Sequence, residues 1–244
     1  MKIIESILTK NPCYKAGRKI TVKGLMLHSV GCSQPNAYVF INNWNSESFT
    51  RACVHGFIDA DSGIIYQTLP WNHRGWHAGG SANNTHIGVE MCEPACIKYT
   101  GGSTFTCSNM AVAQAAAKRT YEAAVELFAM LCEKYGLDPM ISGVIISHKE
   151  GFMRGVASNH GDPEHLWSGL KLPYTMDTFR KAVKAKMDEK KLDNTPAPWS
   201  REAVEWATQN KLLQGDDTGN LMLRAPATRE QLVVILKRFY DLIK

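Results

Sequence analysis

Apolar positions along the first 150 residues fall into short runs closed by glycine or turn residues. "KITVKGLMLHS" (19–29) is a short β-rich run, and "HIGVEMC" (86–92) and "GVIISHK" (143–149) are continuous apolar stretches of strand length. Runs of that kind predict strands buried on both faces. "VHGFIDA" (54–60) and "GIIYQTLP" (63–70) flank "DSG", a turn sequence, and predict a hairpin. Helical spacing alternates with these runs. "PNAYVFINNWN" (35–45) predicts a short helix. Residues 108–136 predict a long one, with Ser108 as N-cap and Gly136 as its stop. "TMDTFRKAVKAKMDEKK" (175–191) predicts a third, its lysines forming a solvated face. Strands mixed with helices in this way predict an α/β fold, a mixed central sheet flanked by helices.

The pattern breaks at "DNTPAPWS" (193–200), where prolines sit among polar residues directly after the lysine-rich helix. This reads as a linker. It divides the chain into a first domain (1–192), a linker (193–200) and a small all-α module (201–244). In that module one helix carries Val204, Trp206 and Ala207. A loop with Gly215, Asp216, Asp217 and Gly219 follows, and "PATREQ" opens a second helix. Thr228 is its N-cap and Gln231 completes a capping box.

Composition narrows the class without fixing it. The chain has 244 residues, 44% apolar and 21% charged, an ordinary globular balance. No apolar stretch reaches the roughly 20 residues that a membrane span requires. The N-terminus has Glu5 and no small-residue cleavage site, so it does not predict a signal peptide and implies synthesis in the cytoplasm. A net charge of +5 is too mild and too dispersed for a nucleic-acid surface. It suits weak steering toward a polyanion. The 7 cysteines form no zinc-ribbon spacing and read as reduced, mostly core residues.

Two of the predicted strands end alike: "GLMLHS" delivers His28 and "GVIISH" delivers His148. Side chains at strand ends line the clefts of α/β sheets. Neighbouring strands would bring the two imidazoles to one ion, and Asp162 in "SNHGDPEHLW" is the candidate third ligand of a catalytic zinc. Glu90 sits between Val89 and Met91, where a carboxylate is costly without a partner. In a metal cleft it suits the deprotonation of water. "HRGWHAGGS" sets His73, Trp76 and His77 among glycines, a composition suited either to a cleft wall or to a packed structural histidine.

The ordered set "LMLHSVG", "VHGFID", "GWHAG", "IGVEM", "ISHKEG" and "SNHGDPEHLW" resembles the type 2 N-acetylmuramoyl-L-alanine amidases, which share their fold with peptidoglycan recognition proteins. The likeness runs from about residue 20 to about residue 185. It is nearest to prophage endolysins and autolysins of Gram-positive bacteria, clostridia in particular. It implies zinc-dependent hydrolysis of the amide between muramic acid and L-alanine, with His28, His148 and Asp162 as zinc ligands. The family often has a lysine two positions before the third ligand, and this chain has His160. His160 then either stabilises charge on the scissile carbonyl, as that lysine does, or competes with His148 for the metal. Val54 stands where some members carry a tyrosine, so the resemblance leaves the base role to Glu90 alone. Trp76, His77, His55 and Asn84 are the expected substrate contacts. The C-terminal module resembles one S-layer-homology repeat, with "TREQ" near that family's signature. This implies binding of a secondary cell-wall polymer, or pairing with a second copy, so that the protein is a monomer or a homodimer.

The implied partner is peptidoglycan, with no nucleic acid and no membrane insertion, reached after release or holin-type export. Two competing readings are a recognition protein that binds peptidoglycan without cutting it, and a cysteine peptidase using Cys53 with His55 or His77. A nucleophilic cysteine belongs at a helix start, whereas Cys53 precedes a predicted strand.

Overall fold

The computed structural model describes residues 1–189, 194–217 and 219–244. The chain divides into two compact units, Met1–Lys186 and Met187–Lys244. The expected domain end at residue 192 and linker start at residue 193 lie outside the described residues.

The first unit is built on a six-stranded mixed sheet. Its strands are β1 (Ile3–Glu5), β2 (Gly24–Ser29), β3 (Gly56–Ile58), β4 (Ile65–Gln67), β5 (His86–Met91) and β8 (Ile145–Ser147), in the order β1-β4-β3-β5-β2-β8. The predicted hairpin is present: β3 and β4 pair antiparallel, with Phe57 opposite Tyr66. The other pairings are parallel. A separate two-stranded ribbon, β6 (Ile97–Gly101) and β7 (Thr104–Cys107), turns at Gly102–Ser103.

Register decides what faces the cleft. In β2 and β5, Met26 pairs with Gly88 and His28 with Glu90. In β2 and β8, Met26 pairs with Ile146. Paired residues of a parallel sheet share a face, and faces alternate along each strand. Even-numbered positions of these three strands therefore converge on one side. Odd-numbered Leu25, Leu27, Ile87, Val89 and Ile145 are fully buried beneath the other. This is why the runs read as continuously apolar although one face carries the chemistry.

Around the sheet lie α1 (Pro12–Ala16), α2 (Ala37–Trp44), α3 (Met110–Tyr135), α4 (His148–Met153), α5 (Glu164–Gly169) and α6 (Met176–Glu189). The long helix α3 buries Ala113, Ala117, Tyr121, Ala124, Phe128 and Leu131, a stripe at helical spacing. Its N-cap is Asn109, not Ser108: the Asn109 side chain accepts from the Val112 amide. Both residue types cap well, and the one whose oxygen reaches an open amide takes the role. Gly136 ends the helix in the left-handed conformation, as expected. On α6, Phe179 packs edge-on to Phe128 and Tyr121.

The second unit contains α7 (Arg201–Gln209) and α8 (Arg229–Leu242). Thr228 and Gln231 form the predicted capping box: the Gln231 amide donates to Thr228 Oγ1 at 3.1 Å and the Thr228 amide donates to Gln231 Oε1 at 2.8 Å. Neither helix has a buried residue, and Leu232, Val233, Leu236 and Tyr240 of α8 are exposed.

Candidate metal centre and catalytic cleft

His28 ends the cleft-facing side of β2. His148 follows β8 directly. The apolar run places His148 at a strand end, and in the structure it is the first residue of α4. Ser147 caps that helix through the Glu150 amide at 3.0 Å. The capping box fixes the angle at which His148 leaves the sheet. Asp162 comes from the loop before α5 and is anchored by its carbonyl, which accepts from the Lys149 amide.

These three side chains converge and are buried. His28 Nδ1 lies 3.1 Å from His148 Nδ1 and 3.2 Å from Asp162 Oδ2. His148 Nδ1 lies 3.6 Å from Asp162 Oδ1. Tetrahedral coordination at zinc bond lengths spaces ligand atoms roughly 3.3 Å apart. Two imidazole nitrogens and a carboxylate oxygen, all near that spacing, fit a divalent zinc-type ion and leave one position open. Burial works against charge on His28, but the Asp162 bond and the Glu90 carboxylate outweigh it and raise its pKa. Burial and the neighbouring His28 push His148 down to about 4. Asp162 is held below the usual carboxylate range: burial opposes this, and His28 overcomes it.

Glu90 lies beside His28 on the adjacent strand and lines the same cleft, whose volume is about 710 Å³. Its Oε2 is buried with no hydrogen-bond partner among the described residues. Burial pushes its pKa to about 8; His28 opposes the shift, and the Asp162 and Glu93 charges add to it. An orphaned carboxylate oxygen in a cleft is a proton acceptor waiting for a substrate or solvent donor.

The remaining expected residues divide. Trp76 is half-exposed on the cleft lining. His160 is an exposed lining residue tilted against His148, with ring centroids 4.3 Å apart and planes at 46°. Its Nδ1 sits 3.1 Å from His148 Nε2, the nitrogen turned away from His28 and Asp162, so it does not compete for the metal. His77 reaches the cleft wall but is buried, and its Nδ1 contacts His28 Nε2 at 3.0 Å.

His55 and Asn84 do not belong to the cleft. His55 is fully buried: its Nε2 donates to the His73 carbonyl and its Nδ1 accepts from the Gly88 amide. Both nitrogens are spent on backbone, and none is left for a substrate. Asn84 is exposed in a short 3-10 turn, where its Oδ1 accepts from Arg74. Its neighbour Asn83 is the buried one, accepting the amides of His77 and Ala78. Cys53 is buried and its thiol is pushed far up by the Cys13 contact and by burial, so the cysteine-peptidase reading has no nucleophile.

Several cleft residues carried no signal in the sequence. Tyr99 donates to buried Glu93 at 2.7 Å and lies 2.6 Å from His165 Nε2, and both Tyr99 and His165 line the cleft. Ser158 contacts both His148 and His160. Gly88 exists because the His77 ring covers it: a Cβ there would meet the ring at 2.3 Å. Gly88→Ala is expected to destabilise the fold by roughly 1–3 kcal/mol or more through overpacking, read as a lowered urea midpoint.

Residues 17–165 match the family described as N-acetylmuramoyl-L-alanine amidase, more than half of the chain. Among curated proteins, the amidase XlyA of Bacillus subtilis (strain 168) is 55% identical over 38 residues, 14% of this chain and 13% of XlyA. The amidase CwlH of the same organism is 49% identical over 39 residues, 14% of this chain and 16% of CwlH. Those matches span only a small part of either relative. Among solved structures, the Staphylococcus aureus hydrolase AmiA in complex with its ligand superposes with TM-score 0.57 at 21% identity. That superposition covers 78% of this chain and 85% of AmiA. The catalytic domain of XlyA superposes with TM-score 0.51 at 21% identity, covering 75% and 99%. Both show that the fold is shared.

Proposed function

The chain belongs to the N-acetylmuramoyl-L-alanine amidase family, and from that premise we propose that it hydrolyses the amide between the muramic acid lactyl group and L-alanine of peptidoglycan. The observation that carries this reading is the convergence of His28, His148 and Asp162 beside the unpartnered Glu90 carboxylate. A recognition protein that only bound peptidoglycan would not need a complete donor set with a proton acceptor next to it.

His28, His148 and Asp162 would hold zinc. The ion, when bound, supplies Lewis acidity and makes water acidic near neutral pH. Glu90 takes a proton from the attacking water as the oxygen bonds to the carbonyl carbon. The same carboxyl then gives that proton to the nitrogen as the C–N bond breaks. His160, with its Nδ1 engaged on His148 and Ser158, stabilises the oxyanion through Nε2. Trp76 gives the sugar or peptide an apolar face at the rim.

The reading is tested on purified cell walls. New L-alanine amino termini should appear with the enzyme, vanish with a chelator and return with zinc. Release of reducing sugar ends instead would assign a different bond.

The second unit serves as an S-layer-homology-like element that attaches the enzyme to a secondary cell-wall polymer or to a second copy of itself. Its exposed apolar α8 side chains support an attachment role. The protein reaches the wall after release or holin-type export. No helix among the described residues is long and apolar enough to cross a membrane. A chain ending at residue 189 is expected to keep hydrolysis of a soluble muropeptide within a few-fold and to bind whole walls less. Equal sedimentation of both chains with walls would leave the unit an assembly role.

A further inference from the structure

A histidine ligates a metal only through a nitrogen without a proton. The partner of its other nitrogen decides which one that is. Both metal histidines here present Nδ1 to the centre, so each must carry its proton on Nε2. The structure shows what enforces this.

For His28 the sequence of donors is forced from its far end. His77 Nε2 lies 3.1 Å from the His86 carbonyl oxygen. A carbonyl can only accept, so Nε2 of His77 carries its proton. His77 is buried away from solvent, where a second ring proton is costly, so its Nδ1 is a bare lone pair. That lone pair lies 3.0 Å from His28 Nε2 and can only accept from it. His28 Nε2 therefore holds the proton and Nδ1 is free for the ion.

His148 has a relay of the same logic. Its Nε2 lies 3.1 Å from Ser158 Oγ, and Ser158 donates its own proton to the Ala78 carbonyl at 3.3 Å. The Ser158 oxygen is left to accept from His148 Nε2–H. The His77 relay ends on a backbone oxygen, which cannot reverse its role; beside Ser158, His160 Nδ1 lies 3.1 Å from His148 Nε2 and, as a lone pair, accepts from the same Nε2–H.

The two relays meet in one segment. His77 supplies the ring for His28 and Ala78 supplies the carbonyl for Ser158. Asn83 Oδ1 grips both of their amides, at 2.8 and 2.9 Å. Glycines clear the space. A Cβ on Gly88 would strike the His77 ring at 2.3 Å, and a Cβ on Gly79 would strike Ser158 Oγ at 2.5 Å.

We propose that segment 77–83, with Ser158, is a tautomer lock that sets both metal histidines as Nδ1 ligands, and that His77 is a positioning residue rather than a substrate contact. This rests on the metal reading above. His77→Phe keeps the ring's bulk and removes its nitrogens. His77→Asn loses bulk but keeps an acceptor near the place of Nδ1. Zinc affinity is measured by competition with a chromogenic chelator. Phe is expected to weaken binding about 10- to 100-fold. Asn is expected to recover most of that loss, although a purely structural role would favour Phe.

Imidazole nitrogen NMR of the zinc-loaded wild type gives a reading that needs no variant. His28 and His77 should both be Nε2–H tautomers. Either ring found as Nδ1–H overturns the lock, as does a His77→Phe protein that binds zinc within twofold of wild type. A wild type with no zinc affinity fails the metal reading itself, a result distinct from equal binding by wild type and variant.

Discussion

Glu90→Gln is expected to bind zinc as the wild type does and to lose about 100- to 10,000-fold in turnover, the range a general base contributes. The amide has nearly the same shape as the carboxylate, so the strand pairing of β5 with β2 and β3 stays intact. What is lost is the proton acceptor. Oε2 of Glu90 is buried with no hydrogen-bond partner among the described residues, so no protein donor competes for it. His55 cannot substitute, because both its ring nitrogens are bound to backbone. The acid limb of kcat/KM carries the same signature. The base works deprotonated, so activity falls as pH falls through its pKa. Burial, opposed by His28 and reinforced by the Asp162 and Glu93 charges, places that pKa near 8, and a bound dication favours the charged form, so the limb belongs below that value. Calorimetric zinc stoichiometry and the rate of amino-terminus release from walls decide the matter. Near-normal release by Glu90→Gln would remove it from the base role.

His28→Ala is expected to lose the metal and the activity together. The ion contributes several kcal/mol of charge stabilisation, so turnover should fall about 1,000-fold or more. The substitution also strips Asp162 of its 3.2 Å partner and leaves a buried carboxylate facing a hole. The metal-free variant should therefore melt below the metal-free wild type. Far-UV circular dichroism establishes that it is folded, and metal analysis after dialysis reads occupancy. A metal-replete, active His28→Ala protein would refute the ligand assignment.

The sheet was legible because buried parallel strands are written as apolar runs, and β2, β5 and β8 fall inside the runs that predict them. His28, His148 and Glu90 were legible for the same reason: each is a polar residue in or at the end of such a run. Other features were not. β1 is three residues at a sheet edge, too short to show a period. The ribbon of β6 and β7 carries "TGGST", a glycine turn that signals a hairpin, but its alternation is weak and only one face packs. His55 and His77 look alike in sequence, each within two residues of a glycine. They differ in where tertiary structure sends them: one donates to the His73 carbonyl in the core, the other reaches His28. Asn83 and Asn84 are adjacent and identical, and only the turn decides which points inward. No local propensity encodes such choices.

His28 and Glu90 occupy the same rung of the β2–β5 ladder. Their separation is thus a lattice constant of the sheet, about 4.8 Å between strands, and not a property that side-chain packing sets. Such a spacing is quantised. It cannot drift by tenths of an ångström as the surrounding loops change. It can only be kept, or lost whole by a slip of one residue between the strands that would put the two groups on opposite faces. The adjustable part of this site is accordingly the wall of the cleft. Loop composition can redraw which polymer enters, while the geometry of bond cleavage stays locked to the backbone.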